Sequence, residues 1–152
     1  MSGAGPPPIL VAAADRLLVV HPDGRADEHL TGKDVTCLAV IRGEPVRAYA
    51  GTDGDGLWAG DEDGRTWQPV GMAFQGRDIT AVAAGSRGDV IYVGTEPSAV
   101  FRSDDGGQTW EEQAGLHQLP SAPEWSFPPR PETHHVRWIE LDPANPDRLF
   151  VA

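Results

Sequence analysis

The chain has 152 residues, 39% of them hydrophobic, and a net charge of −11 from 23 acidic and 12 basic side chains. That length and apolar fraction support one globular domain with its own core. Scattered arginines and a single lysine, Lys33, argue against a phosphate-tracking nucleic-acid surface and against adhesion to an anionic membrane. Cys37 is the only cysteine, so no internal disulfide or thiolate metal cluster is available. The opening MSGAGPPPIL lacks the basic and apolar regions of a secretory signal, and no apolar run approaches the ~20 residues of a membrane helix. A cytoplasmic chain without a cofactor is the expectation.

In chain order, residues 1–8 read as a flexible tail. Residues 9–32 hold three short runs, Ile9–Ala13, Arg16–Val20 and Ala26–Leu30, the last two separated by the turn HPDG. Residues 35–71 and 79–115 each hold four runs rich in β-branched and aromatic residues, separated by Gly, Asp, Ser and Pro. In the second of these units the runs are Ile79–Ala84, Val90–Thr95, Ala99–Ser103 and Thr109–Gln113. Residues 116–135 form a proline-rich loop, and residues 136–152 open another unit with Val136–Leu141 and Leu149–Ala152. No run of helical length shows a 3.6-residue period, so the fold class is all-β, with antiparallel four-stranded units.

The units repeat. Thr66-Trp67 and Thr109-Trp110 lie 43 residues apart, as do Gly51-Thr52 and Gly94-Thr95. Four-stranded sheets at this period predict the blades of a β-propeller. The chain supplies two whole blades and two partial ones, short of the roughly four to eight of a ring. An incomplete propeller is expected to expose strand edges, and so to self-associate or to associate with a chain that supplies the missing blades.

Ser103, Asp105, Gly107, Thr109 and Trp110 fit the pattern S-x-D-x-G-x-T-W at every defined position. An earlier copy keeps Gly64, Thr66 and Trp67 but has Gly60 for the serine and Glu62 for the central aspartate. This resembles the Asp-box of bacterial neuraminidase (BNR) repeats, found also in sortilin-type receptors and in photosystem II assembly-factor-like propellers. The resemblance covers about residues 35–152 and implies a peripheral box, away from any central pocket. The residues themselves suggest a turn-shaping role. A carboxylate can accept backbone N–H groups from its own turn, and Gly107 can take a positive φ. Adjacent acids such as Asp104 and Asp105 rarely flank one bond. Asp53-x-Asp55-Gly56 looks like the start of a calcium loop, but the twelfth position is Gly64, where an acidic ligand is required. A turn is the better reading, and no metal is assigned.

The third repeat arrives 14 residues late, because of the insertion around PSAPEWSFPPRPETHH. Aperiodic and rich in proline and aromatics, it reads as an ordered loop of the kind that carries function on a scaffold. It enters a first strand, which in a propeller lines the channel. Glu124, Trp125, Arg130, His134, His135 and Arg137 are therefore expected near the channel mouth as a ligand-binding group. A bland reading stands beside it, in which the loop only caps a blade. A similar SFPPRP…HVRW segment occurs in uncharacterised sialidase-like or glycosyl-hydrolase-like bacterial propellers.

Three functions remain open. The leading one is a non-catalytic recognition propeller for a glycan, an acidic small molecule or a protein. The others are a sialidase-like glycosidase completed by absent blades, and a protein-binding assembly scaffold. No arginine triad, Tyr–Glu nucleophile pair, phosphate loop or Ser/His/Asp order can be assigned, so the catalytic residues are unknown and the expectation leans away from an enzyme.

Overall fold

The computed structural model describes residues 6–41, 47–61 and 64–152. It is built of four antiparallel sheets in sequence order. The first contains β1 (Ile9–Ala13), β2 (Arg16–Val20) and β3 (Ala26–His29). The second contains β4 (Val35–Ile41), β5 (Arg47–Thr52), β6 (Leu57–Gly60) and β7 (Trp67–Val70). The third contains β8 (Asp78–Ala84), β9 (Ile91–Glu96), β10 (Val100–Ser103) and β11 (Glu111–Glu112). The last pairs β12 (Ile139–Asp142) with β13 (Asn145–Val151). Among the described residues no helix is long and apolar enough to cross a membrane.

Each sheet is a meander of neighbouring strands. Alternation explains the faces: in β2, Leu17 and Val19 are buried while the residues between them are half-exposed. The first strands β4, β8 and β12 stand side by side around a cavity of about 690 Å³. The main core lies between the second and third sheets, around Ile41, Tyr49, Leu57, Phe74, Ile79 and Phe101.

Neighbouring sheets are joined by two devices that recur with the repeat. The first is a side chain packed onto a glycine. A Cβ on Gly51 would lie 2.5 Å from Ile79 Cγ2, and one on Gly94 would lie 2.5 Å from Val136 Cγ1. The glycines are there because the next sheet's first strand needs the space. The second device is a hydroxyl at a bulge. The register slips between Val35 and Cys37 and again between Ile79 and Ala81. A bulge re-aims the side chain it carries. Thr36 donates to the carbonyl of Ile79, and Thr80 to that of Val136 at 2.6 Å.

The strand ends differ from the sequence expectation in three instructive places. The run expected over Thr109–Gln113 is paired only at Glu111–Glu112, because Thr109 spends its N–H and hydroxyl on Asp105. The strand expected to start at Val136 starts at Ile139. Arg137 N and Trp138 N both donate to Ala152 O, a bulge at the position equivalent to Thr36 and Thr80. The strand expected at Leu149 begins at Asn145. It is an edge strand, where a proline costs no ladder bond.

Candidate functional site

Strand direction sorts the polar clusters onto two rims. The start of β8, the ends of β5 and β9, and residues 130–137 lie on one. The ends of β8 and β10, with the Ser103–Trp110 turn, lie on the other. Gly106 N donates to Asp89 O at 3.0 Å and Tyr49 Oη donates to Gly106 O at 3.1 Å, which fixes that turn beside the β8–β9 connection and the neighbouring sheet.

In this turn Asp105 serves its own loop. Its Oδ1 accepts from the N–H groups of Gln108 and Thr109, each at 2.9 Å, and from Ser103 Oγ at 2.8 Å. Its Oδ2 accepts from Thr109 Oγ1 at 2.6 Å. Ser103 Oγ also accepts from Gly107 N at 2.8 Å, and Gly107 takes φ 95°, where a Cβ would in addition meet Val70 at 2.8 Å. Trp110 donates through Nε1 to Gly107 O at 3.0 Å and packs its ring edge-on to Phe74. The earlier copy repeats the indole bond, Trp67 Nε1 to Gly64 O at 3.1 Å. There Asp61 accepts from Arg65 N and Thr66 Oγ1, both at 2.7 Å. Glu62, assigned the central position from the sequence, lies outside the described residues.

The Thr109 hydroxyl, then the Thr109 N–H and the Ser103 hydroxyl, hold the Asp105 carboxyl down at about 2. A depressed carboxyl contributes stability above its ordinary pKa of about 4 and loses it as pH falls through the folded value. Asp105→Ala is expected to lower Tm by several degrees at pH 7. The gap from wild type should be full above about pH 5 and shrink as pH falls through about 2, read by thermal melts across that range.

The opposite rim holds a pocket of about 280 Å³ lined by Thr36, Asp53, Asp78, Thr80, Glu96, Phe127, Arg130, His135 and Arg137. Asp53 follows β5 as Glu96 closes β9, each after a Gly-Thr pair. Asp53 and Asp78 are in hydrogen-bond contact. That contact, then charge repulsion from Asp78 and partial burial, raises the Asp53 carboxyl above its ordinary value, with Arg130 pulling the other way. Glu96, 11% exposed, pairs with Arg130 at 3.0 Å. The Arg130 guanidinium lies 5.6 Å from the centre of the Phe127 ring, and Phe127 meets His135 edge-on at 4.8 Å. His135 Nδ1 is buried without a hydrogen-bond partner, 3.8 Å from Glu96 Oε2.

Of the six residues expected at the channel mouth, Arg130, His135 and Arg137 meet at this pocket. Trp125 and His134 pack edge-on to each other at 5.7 Å and line an adjoining groove of about 770 Å³, more apolar, with Leu116, Leu119 and Phe127. The His134 backbone is anchored by Ser98 N, which donates to its carbonyl at 2.9 Å. Both histidines line the groove, and His135 alone also lines the rim pocket. Glu124 lies apart from these five. It ends a short 3₁₀ turn, Ala122–Glu124, is exposed, and lies outside the rim pocket. Among the described residues no group of three or more His, Cys, Asp or Glu could hold a metal ion. Asp53, Asp78 and Glu96 were not assigned from the sequence. The signal was the recurrence of an acid after Gly51-Thr52 and Gly94-Thr95.

No protein-family model matches the chain, and no curated protein matches it. Solved structures do. The structure of Ycf48 bound to a D1 peptide superimposes over 91% of this chain and 41% of its own, with a TM-score of 0.64 at 17% identity. A GH74 xyloglucanase from Xanthomonas campestris superimposes over 90% of this chain and 24% of its own, with a TM-score of 0.53 at 17% identity. The fold is that of a β-propeller. The four sheets are therefore blades or parts of blades, and the chain spans less than half the length of either neighbour.

Proposed function

We propose that the chain is a non-catalytic recognition propeller that engages its ligand at the rim pocket between the second and third blades and the Pro-rich loop. The observation that carries this reading is how the pocket's acids are committed. Asp53 is in contact with Asp78, and Glu96 is neutralised by Arg130. Hydrolysis of a glycosidic bond needs two carboxyl groups about 5–9.5 Å apart, one free to give a proton and one to attack or activate water. A touching pair and an ion-paired acid suit binding better. The peptide on the Ycf48 propeller supports a protein segment as the ligand class. A glycan or an acidic small molecule would use the same polar rim.

The runner-up is a glycoside hydrolase. The raised proton affinity of Asp53 favours it, since a general acid must hold its proton near working pH. The two readings part in one experiment. The chain and its Arg137→Ala variant are applied to peptide and glycan arrays and assayed on an artificial sialoside and on xyloglucan. The recognition reading expects array binding that falls about tenfold or more in Arg137→Ala, as loss of a charge-assisted contact does, with no turnover. Turnover that disappears in Asp53→Asn would establish the hydrolase. Array binding indifferent to Arg137 would move the ligand elsewhere.

A further inference from the structure

The geometry points to a small zwitterion of the α-amino-acid class as the rim pocket's ligand, its ammonium on Asp53 and Asp78, its carboxylate on Arg137, and its side chain in the adjoining groove. This deepens the recognition reading and rests on it.

The first observation is a charge arrangement. Asp53 and Asp78 line the pocket together, yet neither has a cation within ion-pair distance among the described residues. The Arg137 guanidinium lines the same pocket and, among the described residues, has neither an ion pair nor a hydrogen bond. Opposite charges that could compensate each other stand apart across a cavity of about 280 Å³. That is the small end of the ~300–1,000 Å³ range of ligand sites. A molecule with both charges would answer both walls at once. A purely anionic ligand would face the acid pair, and a purely cationic one would face Arg137.

The second observation is independent of charge counting. His135 Nδ1, on the lining of the same pocket, is buried without a hydrogen bond, its nearest acid being Glu96 Oε2 at 3.8 Å. Buried polar atoms are nearly always hydrogen-bonded, and an exception calls for an account, which a ligand group at this pocket supplies.

The third comes from the repeat. At the bulge of the first strand, Thr36 and Thr80 spend their hydroxyls on the neighbouring blade. The third copy places Arg137 at this bulge. A guanidinium stands where the other two copies of the bulge, which line the same pocket, carry a structural hydroxyl, in a chain of net charge −11.

The side-chain preference follows from continuity. Phe127, His135 and Arg137 line both the pocket and the groove, whose far wall carries Leu116, Leu119 and Trp125. A ligand whose carboxylate rests on Arg137 would project an apolar or aromatic side chain into the groove.

The test is calorimetric titration of the chain with L-phenylalanine, 2-phenylethylamine and 3-phenylpropionate, which share a phenyl group and differ in charge. Phenylalanine is expected to bind about tenfold or more tightly than either singly charged analogue, the size of a lost charge-assisted contact, and more tightly than glycine. Arg137→Ala and Asp53→Asn should each abolish that preference, while Asp105→Ala, on the far rim, should keep it. Both substituted pocket residues are exposed, so folding is not at stake, and thermal melts verify it. Equal binding of the three compounds, or none of phenylalanine at millimolar concentration, would overturn the proposal. Array binding that still depends on Arg137 would then leave the recognition reading standing, and its loss as well would end both.

Discussion

Phe74→Ala is expected to be among the most destabilising single substitutions in the chain, at about 3–5 kcal/mol for a fully buried phenylalanine. At this chain size each kcal/mol lowers Tm by about 2–4 °C. Phe74 is fully buried at the end of a short 3₁₀ turn, Met72–Phe74, that links the second blade to the third. Its ring meets Phe101 edge-on at 5.2 Å and Trp110 at 4.9 Å. Its backbone carbonyl crowds Gly56, where a Cβ would come within 2.8 Å. The side chain is thus a wedge between two blades, and its removal leaves a void that three elements border. Met72, in the same turn, is 81% exposed, and Met72→Ala should be close to neutral. Chemical denaturation of both variants checks the contrast. A Phe74→Ala chain as stable as Met72→Ala would show that the blades are not held together here.

The second large effect reverses a familiar sign. Replacing glycine by alanine where the backbone is compatible ordinarily stabilises by about 0.4–1 kcal/mol. Gly94 has no positive φ, so its backbone is open to substitution. Yet a Cβ there would sit 2.5 Å from Val136 Cγ1, 2.7 Å from Val136 Cβ and 3.3 Å from the Ala81 Cβ. Gly94→Ala is expected to destabilise, and Gly94→Val to cost about 1–3 kcal/mol or more through overpacking. Adding Val136→Ala to Gly94→Ala should recover part of the loss by removing the Cγ1 clash, a coupling that a double-mutant cycle reads directly. Independent, additive effects would mean that the third and fourth blades do not pack through this contact.

The same contacts explain what could be read from the sequence. Ile9–Ala13 and Arg16–Val20 were legible to the residue because apolar runs there stop at turn residues. The role of Asp105 was legible because every partner it uses lies within four positions of it. The pairing at Thr109 was not, because turn and strand compete for the same N–H. The earlier turn hid its acid for a related reason. Asp61 stands five residues before Thr66, whereas Asp105 stands four before Thr109, so a fixed spacing pointed to Glu62. The rim pocket was half legible. Arg130, His135 and Arg137 share one segment, but Asp53, Asp78 and Glu96 come from two blades and meet only when the blades stack. Glu124 lies close in sequence and belongs elsewhere, since the 3₁₀ turn carries it outward.

The stacking also separates two duties. On the far rim the Ser103–Trp110 turn satisfies its acid within its own loop, whereas the near rim gathers Asp53, Asp78 and Arg137 without partners of opposite charge among the described residues. Asp53 carries a raised carboxyl beside Asp78, a contact that works against the folded state as pH rises and the pair loses its proton. Such local costs concentrate where a ligand is to be met.

Amide chemical-shift mapping of the labelled chain during a phenylalanine titration tests this division most directly. The account predicts shifts clustered at Thr36, Asp53, Glu96, His135 and Arg137, with Ser103 to Trp110 unmoved. Shifts centred on Asp105 and its turn, with the opposite rim silent, would contradict it.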